Sequence, residues 1–355
     1  PCSVKGDFIL FKGVTMLAGR NVLKDPGIIV GPIAFILGAI INVIFNLVYN
    51  VLGIHTNSLG ISIIILTVFV RLLMTPIAYH QQKSMFKMQA LQPEMKKIQE
   101  KYKGAMSDPE LQRKMNMEMQ KLYADNNYNQ LAGCLPMLIQ LPIFLGLYHV
   151  MQNPFKYIDI INTVYSQISD IVLNAAQSND TVMNLVVEFG KLGNIPAGTQ
   201  IDANVFSRIM NILGPDQMKS LGTAISSADF TSLYDKKNAI EYFMGLNLTE
   251  TVGLSLSPRL IIPILSGGTT WLSSWLMSRK NKPTDPAMVT QQRIMSITMP
   301  LMMAWITTSL PGGIGVYWIT SNLCMIIQQF FINKRLSKHP IVTVKAKGSK
   351  AKGGK

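Results

Sequence analysis

Arg71 is the residue of this sequence whose chemistry most needs an explanation. It lies twelve residues after Leu59 and eight before Tyr79, in a run with no other charged side chain. A charge at mid-bilayer costs about 2.5–3.5 kcal/mol on insertion scales. Thr67 and Thr75 stand one helical turn to either side and share its face. Because no other apolar run contains Asp or Glu, we expect a hydrated groove to solvate Arg71; the alternative is an arginine that snorkels or is capped by carbonyls.

Other apolar runs carry uncharged polar side chains that could line the same groove. Taken singly, each is more commonly a helix-to-helix hydrogen bond than a functional group. Taken as a set, they predict one wet surface beside Arg71. The set is Gln140, Ser266, Thr269, Thr270, Thr298, Tyr317, Thr320, Ser321, Asn322, Gln328 and Gln329.

Motifs for enzymatic chemistry are missing from the sequence. It contains no phosphate-binding loop, no HExxH and no GxSxG, and its four histidines show no metal-ligand spacing. Three cysteines cannot build a disulfide framework, and no lipoprotein signal precedes Cys2. We therefore predict a protein that is not an enzyme and needs no cofactor and no metal.

The composition predicts a membrane protein. Of 355 residues, 48% are hydrophobic and only 15% are charged, whereas a soluble domain carries about 25% charged residues. Lys and Arg number 33 against 19 Asp and Glu. An apolar and strongly cationic chain is typical of a membrane protein with basic segments on one side of the bilayer.

Five apolar runs are long enough to cross a bilayer, which takes about 20 residues each. The uncharged run 294–333 would cross twice and turn at Pro311-Gly312-Gly313. The run 28–52 is ambiguous, because Gly38, Asn42, Asn46 and Asn50 form a polar stripe on an otherwise apolar helix. Such a helix lies in the interface, packs against the other spans, or crosses the bilayer.

The basic residues predict the orientation of these spans. Residues 80–132 hold nine Lys or Arg, 279–293 hold four and 333–355 hold eight, whereas 153–259 hold seven against ten acidic residues. The positive-inside rule places the first three segments in the cytoplasm and 153–259 outside. The basic N-terminal segment fits this pattern only if 28–52 also crosses. Since the sequence begins with Pro1, a start at Met16 is one interpretation of its first residues.

The loop 80–132 should form a helical hairpin. Good helix formers run from Gln81 to Lys103 and Gly104 ends them, and Ser107-Asp108-Pro109-Glu110 has the form of a helix N-cap. The hairpin is unusually rich in methionine. These side chains either pack its helices or present an adaptable surface to apolar partners; the candidates for such contacts are Met85, Met88 and Met95.

Four stretches of the sequence resemble the YidC/Oxa/Alb family of membrane protein insertases. Residues 60–77 are similar to the first core span, with Arg71 at the place of the family's groove arginine. Residues 133–144 (GCLPMLIQLPIF) are similar to the second span, and Leu91-Gln92-Pro93 to the cytoplasmic hairpin. The hairpin and last span are matched by Pro311, Gly313, Tyr317-Trp318, Asn322 and Gln328-Gln329. The resemblance covers roughly residues 28–152 and 258–337.

The resemblance implies an all-α membrane protein with a five-span helix bundle, an interfacial N-terminal helix, a cytoplasmic helical hairpin and a helical extracytoplasmic insertion. The implied segments, in order, are a poorly defined 1–27, interfacial helix 28–58, span 59–79, hairpin 80–130, span 131–152, insertion 153–257, span 258–278, loop 279–293, spans 294–310 and 314–333, and basic tail 334–355. The groove would hold Arg71, Thr67, Thr75, Gln140, Tyr317, Trp318 and Ser321. The large domain that precedes the first span in Gram-negative members has no counterpart, which suggests a Gram-positive-type bacterium.

The implied function is insertion of newly made membrane proteins without nucleotide hydrolysis, alone or beside the Sec translocon. Implied partners are nascent membrane proteins, the Sec translocon, membrane lipids, and the ribosome through the basic tail or the hairpin, with no DNA. The implied location is the bacterial cytoplasmic membrane, with the C-terminus in the cytoplasm. Rival classes are a transporter or channel in which Arg71 binds an anionic solute, and a scaffold without groove activity.

Overall fold

The computed structural model describes residues 27–102, 108–128, 135–196, 199–278 and 286–338. It is mostly helical, with one short antiparallel hairpin of strands. The helices are α1 Gly27–Asn46, α2 Ser58–Leu73, α3 Thr75–Lys101, α4 Pro109–Asp125, α5 Leu135–Gln152, α6 Pro154–Tyr157, α7 Asp159–Ala176, α8 Asp180–Leu192, α9 Ala203–Met210, α10 Pro215–Ile225, α11 Ala228–Glu241, α12 Ile261–Ser278, α13 Pro286–Arg293, α14 Met299–Thr308 and α15 Gly312–Lys338. The strands are β1 Tyr242–Phe243 and β2 Leu246–Asn247. A 3-10 turn, Pro258–Leu260, precedes α12, and π-helical turns follow α1 (Leu47–Val51) and precede α14 (Ile294–Thr298).

The chain divides into two compact units. Of the residues that the structure describes, those within 27–69, 141–268 and 301–321 form the first, and those within 70–140, 269–300 and 322–338 form the second. The first unit therefore includes the whole insertion 153–257, and the second includes the hairpin of α3 and α4.

The polar stripe of α1 lies against the start of the insertion. Asn42 donates to the Asp159 carboxylate at 2.7 Å and accepts from the Asp159 amide at 3.1 Å. Asn46 donates to Asn42, and Asn50 donates to Asn46. A Cβ on Gly38 would meet the Tyr157 ring, so a larger residue there would block this contact. The stripe thus packs against the insertion, a contact that the sequence analysis did not predict.

The insertion is built around α7. Its apolar face is buried, and helices α8, α9 and α11 pack against it. Fully buried aromatic rings fill this core, namely those of Tyr165, Phe189, Phe206 and Phe230. Asn179, Asp202 and Ser227 accept backbone N–H bonds at the starts of α8, α9 and α11. The helical insertion expected from the sequence is present, together with the β1–β2 hairpin, which the sequence did not predict.

The second unit contains the helical hairpin. Leu91, Met95 and Tyr123 form its core, with Leu122 and Tyr128 packed against them. Asp108 caps α4 by accepting from the amides of residues 110 and 111. Glu110 consequently stands at the second helical position, one short of the third position, where a capping box places its acidic residue.

Two helices are long and apolar enough to cross a membrane within the described part of the chain. They are Val30–Val51 and Pro258–Ser278, and a third crossing is possible if the bent pair α2 and α3 is one span. Shorter apolar helices cover Leu138–Gln152 and Ile294–Thr308. The five-span bundle stays a prediction, as does the choice between an interfacial and a crossing helix at 28–52.

Several predicted features lie outside the described residues. They are the segment 1–26, the helix end at Gly104, the start of the 133–144 motif, the part 279–285 of the loop 279–293, and the tail beyond residue 338.

Candidate functional site

The helix that carries Arg71 ends close to it. Helix α2 stops at Leu73, α3 starts at Thr75, and the pair is bent by 56°. Pro76, in the first turn of α3, has no N–H and cannot donate to the carbonyl four residues earlier. The predicted span 59–79 therefore contains a bend, and the depth of Arg71 in the bilayer stays a prediction. Arg71 lies in the last turn of α2, beside the bend.

Gln328 of α15 holds the backbone at this bend. Its Nε2 donates to the Arg71 carbonyl at 2.7 Å and to the Thr75 hydroxyl at 2.9 Å. The Thr75 hydroxyl donates in turn to the Arg71 carbonyl at 3.2 Å. Carbonyls in the last turn of a helix have no partner within the helix, so these bonds stabilise the break. The backbone of Arg71 is thus fixed, and the residue as a whole is half-buried.

Two more amides on α15 bridge helices of the second unit. Asn322 donates to the hydroxyls of Thr269 and Thr270 at 3.1 and 2.9 Å. Gln82 donates to Asn333 at 2.9 Å. Asn322 and Gln328 appeared among the polar groups of the apolar runs but not among the predicted groove residues. Their signal in the sequence was a hydrogen-bonding amide within a run that otherwise suits lipid.

The predicted groove residues of the first unit are mostly buried. The Thr67 hydroxyl, in α2, donates to the Ile63 carbonyl at 2.6 Å, a bond that a helix interior commonly provides. Tyr317 and Ser321 are buried and lie four residues apart on α15. Trp318 is half-buried and meets the Phe144 ring edge-on, with centroids 5.9 Å apart.

The predicted residues of the second unit are more accessible. Arg71, Thr75 and Gln140 are all half-buried. The structure joins Arg71 and Thr75 through Gln328. No group of three or more His, Cys, Asp or Glu side chains suited to a metal ion occurs in the described ranges.

The hairpin methionines differ from one another. Met95 is 3% exposed in the core between α3 and α4, where the Tyr123 hydroxyl lies 3.8 Å from its sulfur. It has no surface to offer a partner, so the packing alternative explains it. The Met88 sulfur accepts from the Tyr128 hydroxyl at 2.9 Å. Met85 and Met88 are partly exposed, and a partner contact there stays a prediction.

The exposed ends of the hairpin helices carry an ion pair. Lys101 and Glu118 lie 2.8 Å apart, with both side chains exposed. The hydrogen bond from Lys101 lowers the pKa of Glu118, and the same bond raises the pKa of Lys101. Such a pair stabilises the hairpin only slightly, because water screens it.

Comparison with known proteins shows one family and many similar sequences. Residues 51–339 match the family described as 60Kd inner membrane protein. The chain is 28% identical to a membrane protein insertase YidC of Oceanobacillus iheyensis over 81% of this chain and 79% of the relative. It is 27% identical to one of Enterococcus faecalis over 78% and 67%, and 26% identical to the insertase MisCA of Bacillus subtilis over 89% and 86%.

The family match covers the helix bend at Arg71, the hairpin, the insertion and α15. The chain therefore belongs to the 60Kd inner membrane protein family, the family of the YidC and Oxa insertases.

Proposed function

We propose that this protein inserts newly made membrane proteins into the bacterial cytoplasmic membrane. The observation that carries the proposal is Arg71, a half-buried cation at the end of an apolar helix, whose backbone is fixed by Gln328. The similar sequences named membrane protein insertase support the same activity.

Arg71 would act on the part of the substrate that must cross the hydrocarbon. A substrate hairpin carries a polar and often acidic outer segment, and an arginine in a hydrated groove attracts it. Groove water shortens the apolar distance that this segment still has to cross. Thr67, Thr75, Gln140, Tyr317, Trp318 and Ser321 are the residues proposed to line the groove.

The hydrophobic effect would supply the work of insertion. A substrate helix that leaves the groove for lipid gains about 25 cal/mol for each Å² of apolar surface removed from water. No nucleotide needs to be hydrolysed for this step. The protein is proposed to act as a chaperone rather than as an enzyme.

The proposed partners follow from charge and location. Nascent membrane proteins are the substrates, and the Sec translocon is a partner for those with long outer segments. The ribosome would be met by the basic tail 334–355 or by the hairpin, since lysines bind RNA phosphates through counterion release. The tail would also bind anionic lipids, at about 1 kcal/mol for each basic residue near the surface.

Complementation tests the proposal directly. The full chain is expressed in a bacterial strain depleted of its own insertase, and growth and insertion of a reporter membrane protein are measured. We expect both to be restored. A chain that reaches the membrane in normal amounts and restores neither would be a scaffold, and the proposal would be wrong.

Crosslinking separates an insertase from a solute carrier. A photo-crosslinking amino acid at Gln140 or Trp318 should capture nascent membrane proteins on stalled ribosomes. The matched control is Leu301, which is exposed on α14 and should capture far less. Equal capture at all three positions would show that substrate has no preferred path along the proposed groove.

A further inference from the structure

The end of the insertion is paired with the loop between α14 and α15. We call residues 246–253 the strap. Its backbone runs antiparallel to residues 308–313, with Thr251 facing Pro311. Four backbone hydrogen bonds of 2.8–3.1 Å join the two: Gly313 N to Leu248 O, Gly312 N to Glu250 O, Val252 N to Leu310 O and Gly253 N to Thr308 O. The strap therefore holds the loop that starts α15.

The loop is shaped to accept the strap. A Cβ on Gly312 would lie 2.9 Å from the carbonyl oxygen of Asn247 in the strap. That separation is too short for a carbon atom, so any residue larger than glycine at 312 would push the two segments apart. The contact is thus a close backbone approach that depends on the absence of a side chain.

One buried carboxylate joins the strap to the helices of the insertion. Glu241 ends α11 and is fully buried. One of its oxygens accepts from the Tyr165 hydroxyl at 2.6 Å. The other accepts from Lys237 at 2.7 Å and from the hydroxyl of Thr249, a strap residue, at 3.0 Å. Each donor comes from a different turn or element, so the carboxylate fixes all three relative to one another.

The protonation states suit these bonds. Burial raises the pKa of Tyr165 well above its ordinary value, and the adjacent Glu241 carboxylate adds to the effect. The phenol consequently stays protonated and remains a donor. A glutamine at 241 would be uncharged and would offer one acceptor oxygen instead of two, so it would leave Lys237 buried without a counter-charge.

A second ionic contact fixes the strap at its other side. Glu250 and Arg259 lie 2.7 Å apart, and the Asn247 amide donates to Glu250 at 3.0 Å. Arg259 precedes α12, so the strap is bonded to the helices before it and to the turn after it. Its position is set at both ends.

We propose that Glu241 is a positioning residue for membrane protein insertion, acting through Thr249 and the strap on the loop that starts α15. This inference rests on the proposed function, because its consequence is that fewer substrate proteins are inserted into the membrane. The strap holds the start of α15 in place, and α15 carries the proposed groove residues Tyr317 and Ser321. Loss of the carboxylate would release the strap and let this end of the helix move.

A disulfide tests the geometry without reference to insertion. Facing residues of this kind have Cα atoms about 4.5 Å apart, within the range that a disulfide can bridge. Thr251→Cys with Pro311→Cys, in the full chain with Cys2, Cys134 and Cys324 replaced by Ser, should oxidise readily in membranes. Leu254→Cys with Pro311→Cys is the matched control and should not, because Leu254 lies beyond the pairing and is exposed.

The role of Glu241 is then read from the rate of this crosslink. Adding Glu241→Gln should slow disulfide formation about tenfold under limiting oxidant, as expected for loss of a hydrogen bond to a charged group. Gly312→Ala should slow it as well, whereas Gly268→Ala, which has open space around it, should not. An unchanged rate in Glu241→Gln would overturn the proposal, whether or not the protein inserts substrates.

Rescue distinguishes positioning from general stability. In the uncrosslinked protein, Glu241→Gln should lower insertion of a reporter substrate severalfold at equal protein levels. Formation of the disulfide should restore insertion of the reporter substrate, and reduction of the disulfide should lower insertion again. If the oxidised variant stays defective, Glu241 does not act through the strap. If the unsubstituted chain inserts nothing while the crosslinking rates behave as described, the proposed function fails and the assignment of the strap stands.

Discussion

Two regions of this protein hold charge in the apolar interior in different ways. In the insertion, Lys237 and Glu241 are both buried, and both carboxylate oxygens have donors. At the helix bend, Arg71 is half-buried, and the bonds from Gln328 and Thr75 reach its carbonyl. In the first region the charged side chains are fully buried, whereas in the second the charged residue is half-buried and its backbone is fixed.

The difference separates a structural charge from a functional one. A buried ion pair with satisfied hydrogen bonds has no capacity left for a ligand, and removing one partner leaves an uncompensated charge. A partly exposed arginine on a rigid backbone keeps a defined position and can meet a charged segment that arrives from water. We expect substitutions in the first region to lower stability, and at Glu241 also to lower activity through the strap, whereas substitutions at Arg71 should lower activity alone.

The largest effect on stability is expected at Lys237. Lys237→Met leaves the Glu241 carboxylate buried without its cation, which costs about 3–5 kcal/mol. In the membrane-embedded full chain, protease should then cleave the inserted segment 153–257 faster, because this segment opens more often. Lys236→Met is the matched control, since the neighbouring lysine is exposed and should leave cleavage unchanged.

The same position offers a sharper comparison. Lys237→Met combined with Glu241→Leu removes both charges, and replacing a whole buried pair is often neutral. Protection of the helices of the insertion should largely return in the double variant. A double variant as labile as Lys237→Met alone would mean that lost packing, rather than the unpaired charge, causes the defect.

A smaller effect is expected at Gln328. Gln328→Leu removes both hydrogen bonds that Gln328 donates at the bend. Interhelical hydrogen bonds in membranes contribute about 0.6 kcal/mol each to stability on average. The midpoint temperature of thermal unfolding in nanodiscs should fall slightly. Insertion of substrate proteins should fall more than stability does, because Arg71 loses its fixed backbone. Gln329→Leu makes the same change one residue away. Equal activity of the two variants would show that the bend does not position Arg71.

The smallest effect is expected at the exposed pair of the hairpin. The pKa of Glu118 is lowered, so its contribution is present above the unfolded pKa and lost as pH falls through the folded one. The pKa of Lys101 is raised, so its contribution is present below the unfolded pKa and lost as pH rises through the folded one.

The pair should therefore be fully formed between about pH 5 and about pH 10. Hydrogen exchange of α3 and α4 in the full chain should differ between Glu118→Gln and the unsubstituted protein only within that window, and only slightly. A large difference in hydrogen exchange would mean that this pair stabilises the protein as strongly as the buried pair of Lys237 and Glu241, and that water does not screen it.

Local signals made the hairpin predictable from sequence. Asp108 followed by Pro109 marks a helix start, and the cap forms there. The turn at Pro311-Gly312-Gly313 was visible for a similar reason, because the chain cannot continue one helix through these residues. Pro76 was equally visible in the sequence, but the bend beside Arg71 was not predicted, because the run 59–79 was interpreted only by its apolar length.

Contacts between distant residues could not be predicted. Lys237 and Glu241 are four residues apart, a spacing that usually marks an exposed helix pair. Their burial depends on Tyr165, which is 76 residues earlier. Gln328 is separated from Arg71 by 257 residues. One sequence carries no information on such pairs, so the strap and the fixed bend became apparent only in the structure.

The account is tested most directly by the charge dependence of insertion at Arg71. Insertion of two reporter proteins, identical except for an acidic or a neutral outer segment, is measured with Arg71→Ala in the same membranes. We predict normal amounts of the variant protein, a sharp loss for the acidic reporter, a smaller loss for the neutral one, and partial recovery with Arg71→Lys if the charge alone suffices. Equal losses for the two reporters would contradict the electrostatic role of Arg71.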